Sequence, residues 1–124
     1  MKPNTRKAVN RVRITTFLDE SQDIRQFIVE GHAGFAAAGE DIVCAAISAL
    51  TISAVNGLEQ FLSVKPVYQV EDGLLKCSLG DLASDEDRLV ARSILGTMLL
   101  GLKQIHQTYG ANYLMFEQRR WTPC

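Results

Sequence analysis

The chain has 124 residues, 47% hydrophobic and 22% charged, with a formal net charge of -1. That length suits one domain burying roughly two-thirds of its extended-chain surface, and the balanced charge lacks the basic excess of a nucleic-acid binder. Cysteines stand at the scattered positions 44, 77 and 124 with no CxxC, which argues against a disulfide framework or a structural zinc site and for a reducing cytoplasm.

The first ten residues, MKPNTRKAVN, carry Lys2, Arg6 and Lys7 but no apolar run behind them, so they read as a flexible basic extension and not a secretory signal. From Arg11 to Asp19 the alternation of Val12, Ile14, Thr16 and Leu18 predicts a strand, and Gln22 to Glu30 predicts a second. The polar segment Asp19-Glu20-Ser21-Gln22-Asp23 is the turn between them. A first helix is expected from Asp41, as N-cap, to about Ser63, with Ile42, Val43, Ala46, Ile47, Leu50, Val55, Leu58 and Leu62 leaving almost no charged face. Its apolar run, Ile42 to Val55, is interrupted by Ser48, Thr51 and Ser53 and reads as too short for a bilayer.

Lys65-Pro66 ends that helix, and Asp72-Gly73 between Val67–Glu71 and Leu74–Leu79 is the strongest hairpin signal in the chain. Ser84, followed by Asp85, Glu86 and Asp87, caps a second helix that extends to about Thr108. Its core stripe is read as Leu89, Val90, Ile94, Met98, Leu102 and Ile105, with Asp87, Arg88, Arg92, Lys103 and Gln107 among the solvated positions. Gly110 stops it, and Ala111 to Glu117 forms a last strand. The order ββαββαβ predicts an α+β fold, a two-layer domain over residues 11–118 with two helices packed on a mostly antiparallel sheet. Residues 119–124, RRWTPC, are left as a C-terminal tail.

The segment from Gly31 to Leu50, GHAGFAAAGEDIVCAAISAL, sets a histidine and a cysteine on either side of a small-residue loop. With Asp41 as N-cap, Cys44 falls at the third helical position, among N–H groups without intrahelical partners, where the dipole favours a thiolate, and His32 can take the thiol proton and return it to a leaving group. Glu40 and Asp41 oppose this, because nearby negative charge raises a thiol pKa. Asp41 is either only a cap or also an orienting partner for His32. Ser48, one turn beyond Cys44, is either a hydrogen-bond neighbour of the thiol or a small helix residue. The Ala33 to Glu40 loop, with Gly34 and Gly39, is either a plain connector or a flexible flap, and its position between the two groups favours the flap. Cys77 is read as a packing residue, Cys124 as incidental and His106 as a surface or dipole partner.

Gly31-His32-Ala33-Gly34, followed by Asp41-Ile42-Val43-Cys44-Ala45-Ala46 and Ser48-Ala49-Leu50, resembles the ribosomal-processing cysteine protease family, Prp. The resemblance runs from about Val12 to Glu117 and implies that His32 and Cys44 are a catalytic dyad supported by Gly31, Asp41 and Ser48. It also implies a cytoplasmic thiol endopeptidase, free of cofactor and metal, that removes the N-terminal extension of large-subunit ribosomal protein number twenty-seven. The basic start and the RRWTPC tail match nothing in the family pattern. Two readings from other classes use the same residues: a non-catalytic ribosome-assembly or peptide-binding protein, and a thiol-based redox or acyl-transfer protein.

The first helix lacks a wet face and carries Ala45, Ala46, Ser48, Ala49, Ser53 and Ala54, which permit close helix approach. A second subunit is the simplest cover, and the resemblance implies a homodimer as well. No membrane or direct nucleic-acid partner is expected.

Overall fold

The computed structural model describes residues 12–31, 38–110 and 112–123, with the backbone alone over 38–41. These residues form strands β1 (Val12–Leu18) and β2 (Ile24–Glu30), helix α1 (Ala38–Phe61), strands β3 (Val67–Glu71) and β4 (Leu74–Ser78), helix α2 (Asp85–Tyr109) and strand β5 (Leu114–Arg120). The five-stranded sheet has the order β3-β4-β2-β1-β5. Every neighbouring pair is antiparallel except β1 and β5. The expected α+β architecture, two helices on a mostly antiparallel sheet, is the one observed.

Local chemistry accounts for the turns. Asp19 Oδ1 accepts hydrogen bonds from the backbone N–H groups of Ser21 and Asp23, which folds the β1–β2 connection onto one carboxylate. Between β3 and β4 the two-residue link Asp72-Gly73 places Gly73 at φ 78°, a conformation glycine adopts without strain. Ser84 caps α2 by accepting from the Asp87 N–H at 3.0 Å.

The sheet turns one face to the helices. Ile14, Val29 and Leu75 lie in register across β1, β2 and β4, as do Thr16, Phe27 and Cys77; all six are buried. Onto them α1 lays Val43, Ile47, Val55 and Leu58, with Leu62 just past its end, and α2 lays Ala91, Leu95, Met98, Leu102 and Ile105. Leu50 of α1 packs on Gly101 of α2, where a Cβ would lie 2.8 Å from the leucine, and Ile94 packs on Gly57. Advancing along α1 from 50 to 57 thus moves back along α2 from 101 to 94, so the helices are antiparallel.

Four expectations change. The α2 core stripe is Ala91-Leu95-Met98-Leu102-Ile105, with alternating spacings of four and three, whereas Leu89 is 64% exposed. Asp87, read as solvated, is buried and accepts from the Ser63 N–H at 3.2 Å and from the Ser63 hydroxyl. The last strand begins and ends three residues later than expected, so Arg119 and Arg120 are strand residues paired with Phe17 and Leu18. Trp121 then donates its backbone N–H to Leu18, and its ring lies 4.2 Å beneath the Arg25 guanidinium. The apolar span of α1 also runs further than Val55: Ile42–Phe61 is long and apolar enough to cross a membrane by composition alone. Only a third of that span is buried, as a stripe facing the sheet.

Buried Asp87 ties exposed Ser63, just past the end of α1, to the start of α2, so Asp87→Ala removes two charge-assisted bonds. Urea denaturation should show a loss of about 1–3 kcal/mol. Asp85→Ala, which loses only an exposed pair with Arg88, should leave the midpoint nearly unchanged.

Candidate active site

The site lies at one end of the two layers. α2 closes there on Gly110, whose N–H donates to the His106 carbonyl, and the Val12 N–H at the start of β1 donates to Tyr113 just beyond. Glu30, at the end of β2, pairs with Arg13. Because α1 is antiparallel to α2, its first turns and Cys44 belong to this same end. Gly31 follows β2 with φ 92° and donates its N–H to the Gly73 carbonyl at 2.9 Å. The chain leaving β2 is therefore pinned to the tip of the β3–β4 hairpin immediately before His32.

His32 and Gly34 lie outside the described residues, as does most of the expected flap. Gly39 and Asp41 are placed differently from expectation. The helix opens at Ala38, so Gly39 belongs to its first turn and Asp41 is an interior residue, not the N-cap. The physical reason lies in propensity: alanine has the highest helix propensity, and Ala38 is already helical without a polar cap at Asp41. Cys44 is consequently the seventh helical residue. Its own N–H falls within the i to i-4 ladder, and the free N–H groups belong to the turn before it. A helical side chain leans toward the N-terminus, over the preceding turn, so the thiol is directed back toward those donors.

Cys44 is half-buried against the core, between buried Val43 and Ile47 on one side and exposed Ala45 and Ser48 on the other. Ser48 is one turn further on, and its carbonyl accepts from the Thr51 hydroxyl at 3.4 Å. Cys77 sits wholly buried in β4, as a packing residue should, and burial together with the charge of Glu59 pushes its thiol up to about 12. His106 packs its ring 5.7 Å from that of Phe116 in the last turn of α2. Among the described residues no group of three or more His, Cys, Asp or Glu could hold a metal ion. At the opposite end of the sheet, Arg92 clasps buried Asp23 through Nε at 2.6 Å and a second nitrogen at 3.1 Å. Sequence reading missed that pair because nothing in the local pattern links two positions so far apart.

Residues 11–114 match the family model described as cysteine protease Prp. The chain belongs to the Prp family of cysteine proteases. It is 30% identical over 103 residues to the ribosomal processing cysteine protease Prp of Staphylococcus aureus, a match covering 82% of this chain and 93% of the relative. To the protein of the same name from Bacillus subtilis it is 26% identical over 103 residues, covering 82% and 92%. The crystal structure of the S. aureus protease with a covalently linked product peptide superposes with a TM-score of 0.73 at 28% identity, covering 87% of this chain and 99% of that one. The Prp-family chain is accordingly a cysteine-type peptidase, a hydrolase.

The thiols should separate by reactivity. In a Cys124→Ser background at pH 8, iodoacetamide should alkylate folded protein once, at Cys44, because Cys77 is buried and almost entirely protonated at that pH. Comparable labelling of Cys77 in native protein would contradict its placement.

Proposed function

We propose that this chain is the endopeptidase that removes the N-terminal extension of large-subunit ribosomal protein number twenty-seven during ribosome maturation in the cytoplasm, with Cys44 as nucleophile and His32 as base. The observation that carries the reading is the convergence of two chain segments at one end of the fold. Gly31, the residue before His32 in the sequence, bonds to Gly73 at that end, and the first turns of α1 bring a half-buried cysteine to the same end. The relatives named as ribosomal processing proteases support the substrate class.

His32 takes the Cys44 proton, and the sulfur attacks the scissile carbonyl, forming a C–S bond and an oxyanion. Free N–H groups of the first helical turn face the developing charge. Collapse breaks the C–N bond as the imidazolium protonates the departing amine, leaving a thioester. Water, deprotonated by His32, then adds to the thioester and releases the new carboxylate and the thiol. Asp41, one turn before Cys44, is suited to orient or polarise the imidazole, and Ser48 to bond the thiol from the following turn.

The outward side of α1 carries Ile42, 59% exposed, with Ala45, Ala49 and Ile52 also open to solvent. A homodimer formed on these residues would give the apolar helix its missing cover. Ala49→Glu would place a carboxylate in that contact, and sedimentation should show the parent as dimer and the variant as monomer. A parent that is monomeric at every concentration removes the dimer.

A peptide spanning the extension junction tests the activity. Cys44→Ala should abolish cleavage with the fold intact, and His32→Ala should slow it by roughly a hundredfold or more. Full turnover in Cys44→Ala, or no cleavage by the parent enzyme, would sink the reading.

A further inference from the structure

Resting on the peptidase reading, we infer that the open edge of β3 is the docking ledge for the substrate, which adds to the sheet as an extended strand paired with Tyr68 and Val70. β3 ends the sheet, and among the described residues no other segment bonds to its outer edge. All five of its residues are exposed.

The register decides which groups are available. Glu71 and Leu74 flank a two-residue link and exchange both backbone hydrogen bonds, so Gln69 opposite Lys76 and Val67 opposite Ser78 do the same. Tyr68 and Val70 therefore turn their N–H and C=O groups outward. Their side chains point to the helix side of the sheet, in register with buried Cys77 and Leu75, yet remain 42% and 55% exposed. The two helices do not reach over this strand. Exposed apolar edges are ordinarily blunted by charge, proline or a bulge, and between Val67 and Val70 there is none of these.

The occupant follows from where the ledge leads. Glu59 of α1 accepts from the Tyr68 hydroxyl at 3.3 Å, which fixes the helix beside the strand. From Glu59 back to Cys44 the helix rises about 22 Å, while β3 from Tyr68 to Glu71 advances about 10 Å in the same direction. Cys44 thus lies beyond the Asp72-Gly73 tip, the tip to which Gly31 bonds. A strand laid on β3 runs toward the thiol and past Gly31 at the hairpin tip. A peptide bound there presents alternate side chains to the α1 side, so the ledge selects two apolar residues spaced by two on one side of the cut.

The test uses Cys44→Ala protein and the extension-junction peptide, with amide exchange followed by NMR. In the free protein the Tyr68 and Val70 amides should exchange rapidly while Gln69 and Glu71 are protected. Saturating peptide should slow Tyr68 and Val70 by at least tenfold. Val70→Pro, which deletes an outward N–H that the ladder does not use, should fold and bind the peptide about fivefold more weakly. Binding that leaves both amides unprotected overturns the ledge and leaves the peptidase reading standing. Protection of both amides in peptide-free protein, rising with protein concentration, assigns the edge to a second copy and also overturns it. Failure of the peptide to bind at all overturns the substrate assignment and the ledge together.

Discussion

The burial of one stripe of α1 fixes the orientation of everything at the site. Val43, Ile47, Thr51, Val55 and Leu58 all turn into the core, and burying side chains of this kind stabilises by roughly 1.5–3 kcal/mol each for the larger aliphatic ones. Rotating the helix by one residue would bring Ile42 inward and move Val43 toward water. The rotation is therefore closed to the chain, and Cys44, next to Val43, is held at the border of the core. A thiol at that border is accessible to a peptide yet shielded from bulk solvent on one side. Cys77, one layer below, shows the contrast: full burial removes its acidity and with it any nucleophilic use.

The glycines contribute at two close approaches. Leu50 nests against the bare backbone of Gly101, and this brings the two helices into one layer with Cys44 near the end of α2. Gly31 takes a positive φ as β2 ends and bonds to Gly73 across the hairpin tip. Both contacts join segments far apart in the chain, so neither has a local signature. The parallel pairing of β5 with β1 has the same character, since only the finished sheet brings Val12 beside Leu114.

Features with short-range causes were legible in the amino-acid sequence. Ser84 with three acidic residues announced α2, Asp72-Gly73 announced the hairpin, and alternation announced β1 and β2. The His32 and Cys44 block pointed to the family that the whole chain matches. What was misread turned on competition between signals. Asp41 has the chemistry of a cap, but the helix is already formed at Ala38. Leu89 looked like core by its chemistry, yet the spacing of Ala91, Leu95 and Met98 decides which face is buried. Arg119 and Arg120 looked like a tail because nothing local shows that β1 still needs a partner there.

The central claim is that one thiol, Cys44, meets the scissile carbonyl with His32 beside it. It is tested most directly with a junction peptide whose scissile amide is replaced by a chloromethyl ketone, followed by proteolytic mapping of the modified chain. One adduct per chain on Cys44, formed slowly in His32→Ala, is the expected result. An adduct on Cys77 or Cys124, or an unmodified Cys44 in protein that the reagent has inactivated, would contradict the claim.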